Sequence, residues 1–241
     1  MATNNAPISY SATVRKGLPP QDAQNPQQVP AVTPTSQLKA HSPRQADRQP
    51  ISPSPSHVPR TEHPEDAVYV LTILTDKAHH ARMTSLRNKY FPPKINKLAA
   101  HLTLFHALPS SKLETTIIPS IEALVRSTNQ FKIHATKPFQ LKKGIAISIS
   151  EQDGGKQGHA IHRDLQNRWK KDGFLSEQDA GGCRIHYTIM NKVDDEVAVS
   201  RAFGEVVGEF QGDFGTAEGL ALWRYDRGFW RADRRFLFAR T

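Results

Sequence analysis

Between residues 67 and 241, apolar and polar positions fall into blocks that carry one of two periods. Residues 66–75 (Asp-Ala-Val-Tyr-Val-Leu-Thr-Ile-Leu-Thr) are dense in β-branched and aromatic side chains, which predicts a buried strand. Asp76 is placed to cap a helix with Met83, Leu86 and Tyr90 on its apolar face, and Pro92-Pro93 ends it. A strand over 100–107 comes next. A helical segment follows Pro119 with Ile121, Leu124 and Val125 on one face, and then two alternating runs, 131–141 and 145–150, meet at Lys142-Lys143-Gly144. The same order then recurs. Ile161, Leu165 and Trp169 mark a helix, 184–190 a strand, and 194–210 an amphipathic helix with Val199, Ala202, Phe203, Val206, Val207 and Phe210 on one stripe. Strands over 220–225 and 229–238 close the chain around Asp226-Arg227-Gly228. Each half offers helix, strand, helix and a strand pair, an α+β order that an internal duplication would produce.

Composition changes the picture only at the N-terminus. Residues 1–66 hold 12 of the 17 prolines but only Tyr10 of the 19 aromatic residues, too little apolar surface to offset chain entropy. They are therefore expected to form a disordered tail, with the folded domain spanning 67–241. Three Ser-Pro pairs, at Ser42, Ser52 and Ser54, fit phosphorylation near Arg44, Arg48 and Arg60, although such pairs are common enough in disordered chains that an unselected linker is the preferred reading. The lone Cys183 excludes a disulfide framework and a cysteine-rich zinc site, and neither a long apolar span nor a secretory core is evident. A cytosolic or nuclear monomer, with no membrane partner, is the expectation. Residues 67–241 carry 26 Lys+Arg against 18 Asp+Glu, and this net +8 suggests an anionic partner such as RNA or a nucleotide.

Chemistry enters with a repeated tetrapeptide, histidine-apolar-threonine-apolar, at the corresponding strand of each half: His101-Leu102-Thr103-Leu104 and His186-Tyr187-Thr188-Ile189. Strand alternation puts each His/Thr pair on one face and each apolar pair on the other. If the halves pack about an approximate two-fold axis, the two polar pairs face one another across a cleft. Two opposed imidazoles then serve as base and acid on either side of a phosphorus, and the threonine hydroxyls donate to its non-bridging oxygens. This chemistry requires no metal and no cofactor, and no acidic cluster stands at metal-ligand spacing. Other histidines draw plainer readings: His106, five positions from His101, is expected on the opposite face; His159 and His162 on a solvated helix face; His79 and His80 at the surface. Trp223 and Trp230 are read as core packing in preference to base stacking, and Lys192 as a candidate phosphate contact.

At these residues the chain resembles the 2H phosphoesterase superfamily, which includes 2′-5′ RNA ligase-like proteins and cyclic phosphodiesterases. The wider matches are Tyr90-Phe91-Pro92-Pro93, the run from Ala100 to Pro109, His186 to Val193, and Gly219 to Tyr225. The resemblance implies a bilobal α+β fold, two pseudo-symmetric lobes of antiparallel sheet with outer helices and a central cleft. It also implies metal-independent transesterification or hydrolysis at RNA-type phosphodiesters, a 2′,3′-cyclic phosphate or a 2′-5′ linkage. Carried over by position, the catalytic residues are His101, Thr103, His186 and Thr188. Tyr187 departs from the small or branched residue common at its place and is expected to face inward. A non-catalytic RNA-binding or adaptor protein that keeps the cleft is the alternative.

Overall fold

The β-branched run after Asp66 forms β1 (Val68–Thr75), most of it buried. The structure, a computed structural model, describes residues 57–240. Among these residues seven antiparallel strands are accompanied by five α-helices. After β1 come α1 (Lys77–Tyr90), β2 (Leu102–Pro109), α2 (Ile118–Arg126), β3 (Phe131–Leu141) and β4 (Gly144–Ile149). Then follow α3 (Lys156–Lys170), the single turn α4 (Glu177–Ala180), β5 (His186–Met190), α5 (Glu196–Glu209), β6 (Asp213–Asp226) and β7 (Phe229–Leu237).

The sheet order is β1-β2-β5-β4-β3-β6-β7, and β1 also pairs with β6. Six strands therefore close into a ring, with β7 attached outside β6. The 14-residue β6 serves both halves. Its first residues pair with β3, from Ala135↔Asp213 to Phe131↔Ala217, and its later residues pair with β1 and β7. Two arcs result, β2-β1-β6-β7 and β5-β4-β3-β6, and they meet again where Leu102 of β2 stands opposite Tyr187 of β5. Leu102, Leu104, Tyr187 and Ile189, the apolar members of the repeated motif, are all buried, as alternation requires. β6 and β7 join through Arg227 and Gly228, both at positive φ (47° and 91°), the geometry a two-residue hairpin turn demands.

Three local expectations change on folding. α1, capped by the Asp76 carboxylate on the His79 amide (2.9 Å), buries His79, Met83 and Arg87, while Leu86 and Tyr90 are only half-buried. A polar face is tolerated there because most of its groups are paired: His79 Nδ1, though not Nε2, with Asp213, and the Arg87 guanidinium with Asn96 Oδ1 and the carbonyls of Leu98 and Thr188. On α5 the buried residues are Val199 and Val206, whereas Val207 is 52 % exposed. In β2 the register against β1 slips twice, Thr72↔Thr103 being followed by Leu71↔Phe105 and Tyr69↔Leu108. Leu104 and Phe105 are thus buried consecutively, and the alternation reverses phase beyond them.

Residues 57–66 pack back on the domain, so its ordered part begins before residue 67. Arg60 N–H donates to the Phe174 carbonyl (2.9 Å). The Glu65 carboxylate accepts from Ser110 Oγ (2.9 Å), Ser111 N (2.8 Å) and Ser111 Oγ (2.7 Å). The Ser-Pro pairs lie outside the described residues. A chain starting at residue 57 is expected to melt like the full chain. One starting at 67 strips the Glu65 acceptor and should lose roughly 1–3 kcal/mol, measured by urea titration. Equal midpoints for the two truncations would show the strap to be inert.

Candidate active site

The two motif strands are neighbours as well as equivalents. With Leu102 opposite Tyr187 in an antiparallel pair, the flanking positions bring His101 beside Thr188 and Thr103 beside His186. Four polar side chains form a square on one face, the two histidines on a diagonal of about 7 Å. All four line a single cleft of about 340 Å³. A phosphate, whose oxygens need donors within about 3 Å, fits between the diagonal corners.

Each histidine is held in the same way. His101 Nδ1 bonds the Ala99 carbonyl at 2.8 Å, and His186 Nδ1 bonds the Arg184 carbonyl at 2.6 Å, in both cases two residues back along the chain. A carbonyl only accepts, so Nδ1 carries the proton and Nε2 is the free basic atom of each neutral ring. Burial pushes the His101 imidazole down to about 4 against its hydrogen bond to Ala99, with the Arg87, His106 and His186 charges adding to the fall. The His186 imidazole is lowered too, by burial first and then by the Arg184 and His106 charges. Near pH 7 both rings of the free protein therefore favour the neutral form.

The walls carry groups that strand alternation hid. His106 lines the same cleft as His101 because the phase reversal after Leu104 returns it to that face. Behind it the buried Asp179 carboxylate accepts from the His106 and Ala107 amides (2.8 and 2.9 Å), the His106 ring lying 3.4 Å away. His162 is 6 % exposed, not solvated; it stacks on Phe105 at 4.6 Å and lines the cleft, where burial lowers its imidazole to about 4. His159 stays on the outer side near Glu151 (3.5 Å). His79 is fully buried, and its ring lies 5.6 Å from that of the inward-facing Tyr187, while His80 is exposed.

Arg87 is the least foreseeable contributor. Its guanidinium bonds a carbonyl just before the first motif and one within the second, so a single buried cation ties the two strands from behind. Burial lowers it to about 10, still protonated at neutral pH, and it leaves positive potential under the cleft. Trp223 and Trp230 part company: Trp223 Nε1 donates to Thr72 Oγ1 (2.8 Å), whereas Trp230 lines the cleft with its ring 4.3 Å from that of His101. Lys192 is exposed just after β5, at φ 61°, and is not among the cleft-lining residues. Among the described residues no group of three or more His, Cys, Asp or Glu side chains is arranged to hold a metal ion, and no helix is long and apolar enough to cross a membrane.

The family model of the 2′-5′ RNA ligase superfamily matches residues 75–229, which include every residue of the square. The chain belongs to the 2′-5′ RNA ligase superfamily. Solved structures show the same fold at low identity. A phosphoesterase is 13 % identical, with 73 % of this chain and 99 % of that one covered at a TM-score of 0.52. LigT from E. coli in its apo form is 14 % identical, with the same coverage and a TM-score of 0.51. A search of curated proteins returned no match. Membership of this superfamily of 2H phosphoesterases supports a phosphoesterase activity, and the bilobal α+β architecture with its antiparallel sheet is that of these relatives.

Proposed function

We propose that this 2′-5′ RNA ligase superfamily member is a metal-independent phosphodiesterase acting on 2′,3′-cyclic phosphates or 2′-5′ linkages of RNA or nucleotides. The observation that carries the reading is the square of two histidines and two threonines around one cleft. For a cyclic phosphate, one neutral imidazole removes a proton from water as its oxygen attacks phosphorus. The ester bond to one ribose oxygen breaks, and the opposite imidazolium gives that oxygen its proton. Thr103 and Thr188 donate to the non-bridging oxygens, whose charge grows in the pentacoordinate transition state. In the free protein neither His101 nor His186 favours the protonated form at neutral pH. The anionic substrate supplies the missing bias, since a nearby negative charge raises an imidazole pKa. Arg87 and Arg184 add attraction for that anion.

The deciding experiment incubates the purified full chain, in EDTA, with 2′,3′-cyclic nucleotides and with 2′-5′- and 3′-5′-linked dinucleotides. Turnover of a cyclic or 2′-5′ substrate with the 3′-5′ dinucleotide untouched is expected. Binding of all of them without turnover would favour an RNA-binding or adaptor role, and turnover only after a divalent ion is restored would remove the two-histidine scheme.

A further inference from the structure

The cleft does not end at His101. Trp230 lies against that imidazole and continues into a row of rings along the β6–β7 hairpin. Tyr225 is the cross-strand partner of Trp230 and so shares its face, and Trp223, two residues along β6, lies 6.2 Å from Trp230 centroid to centroid. Thr103 and Thr72 are cross-strand partners, and Thr72 Oγ1 holds the Trp223 indole, so this row and the first motif lie on one continuous face. Tyr225 is 49 % exposed.

Charge follows the same line. Arg235 is the partner of Ala221, which shares the Trp223 face, and its guanidinium is exposed. At the far end the turn presents Arg227, and the Lys97 ammonium stands 4.6 Å from the Phe229 ring centroid. Rings in series with cations at both ends match bases joined by phosphates. A phosphate without bases would leave the rings unused, and an apolar partner would leave the cations unpaired.

We propose that the β6–β7 hairpin extends the cleft into a docking surface for single-stranded RNA, its bases stacking on Trp230, Tyr225 and Trp223 and its phosphates meeting Arg235 and Arg227. This rests on the phosphodiester reading above and narrows it: the favoured substrate is the end of an RNA strand in preference to a free mononucleotide.

The test measures binding apart from chemistry. Full-length His186→Ala is titrated with a 3′-phosphorylated oligoadenylate octamer and with the mononucleotide, following tryptophan quenching and anisotropy. The octamer is expected to bind at least about tenfold tighter, because each stacked base contributes. Tyr225→Ala, at an exposed position, should weaken the octamer roughly 5- to 100-fold and leave the mononucleotide unchanged. Trp230→Ala should weaken both, with Trp230→Phe restoring most of the loss. Arg235→Gln should reduce the salt slope by about one. Equal affinity for octamer and mononucleotide would overturn the proposal. So would displacement of the octamer by heparin, a polyanion without bases, as effective as that by unlabelled octamer. Wild-type turnover of the cyclic mononucleotide, assayed in parallel, keeps the readings apart: turnover without an octamer advantage sinks only the docking surface, and octamer binding without turnover supports the surface while sinking the catalytic scheme.

Discussion

Alanine at His101 or at His186 is expected to cut turnover of a cyclic phosphate by roughly 10²- to 10⁴-fold, the usual worth of one positioned proton transfer. Both rings are half-buried at the cleft wall and tied by a single Nδ1 bond, so removing either should leave the melting temperature nearly unchanged. Thr103→Ala and Thr188→Ala lose one donor to developing charge, for which about 10²-fold is reasonable. The pH dependence gives a second signature. Both imidazoles are held below the ordinary histidine value of 6.5 in the free protein, His101 at about 4. The singly protonated free enzyme therefore peaks on the acid side of 6.5, and kcat/KM should be bell-shaped with its maximum there. Bound phosphate raises both groups, so the kcat profile should sit to the alkaline side of the kcat/KM profile. Wild-type turnover in His186→Ala, or a kcat/KM maximum well above pH 7, would dispose of the mechanism.

The largest effect on stability is expected at Asp179, 2 % exposed behind the cleft. Burial would raise its carboxyl, but hydrogen bonds from the His106 side chain and amide and from the Ala107 amide outweigh it and hold the group below 3.8. Asp179→Ala strands two amides where β2 bulges, at about 1–3 kcal/mol each. That is a large share of a total stability of about 5–15 kcal/mol. The midpoint should drop by roughly 10 °C, and a loss under about 0.5 kcal/mol by urea titration would show that water replaces the carboxylate freely. The sign against pH follows from the depressed carboxyl: its contribution is present above the unfolded value of 3.8 and fades as pH falls through the folded one. His162 acts in a different window. Its unfolded imidazole takes up a proton below 6.5 while the folded one waits until about 4, so stability is lost on acidification between those values. His162→Phe, which keeps the packing on Phe105, should flatten that part of the curve.

The sequence made the repeated motif legible because a two-residue period survives in both strands: His101 and Thr103, like His186 and Thr188, are less buried than their apolar neighbours. The Asp76 cap, the turn between β3 and β4 and the β6–β7 hairpin were equally plain, since their signals are local. What stayed hidden depends on partners distant along the chain. The bulge in β2 is a mismatch with β1, invisible in the run Leu104-Phe105-His106, and it alone decides which way His106 points. His79 reads as surface and Arg87 draws no reading at all, because no local pattern announces that Asp213 or Thr188 will pair with them. Nor does β6 announce its start at Asp213, seven residues before the apolar run at Leu220, because Phe131 to Ala135 supply the pairing.

The shared strand β6 has a consequence for how the molecule comes into being. Both arcs of the ring need it, yet it comes after β1 to β5 along the chain, and its pairing with β1 joins residues such as Val68 and Tyr225. Contacts of that separation form late and slowly. During synthesis, the strands bearing His101 and His186 leave the ribosome before the strand that completes their arcs. The two halves should therefore fold as one cooperative unit only after β6 has been made, with the exposed partner edges of β1 and β3 as the segments most in need of protection until then.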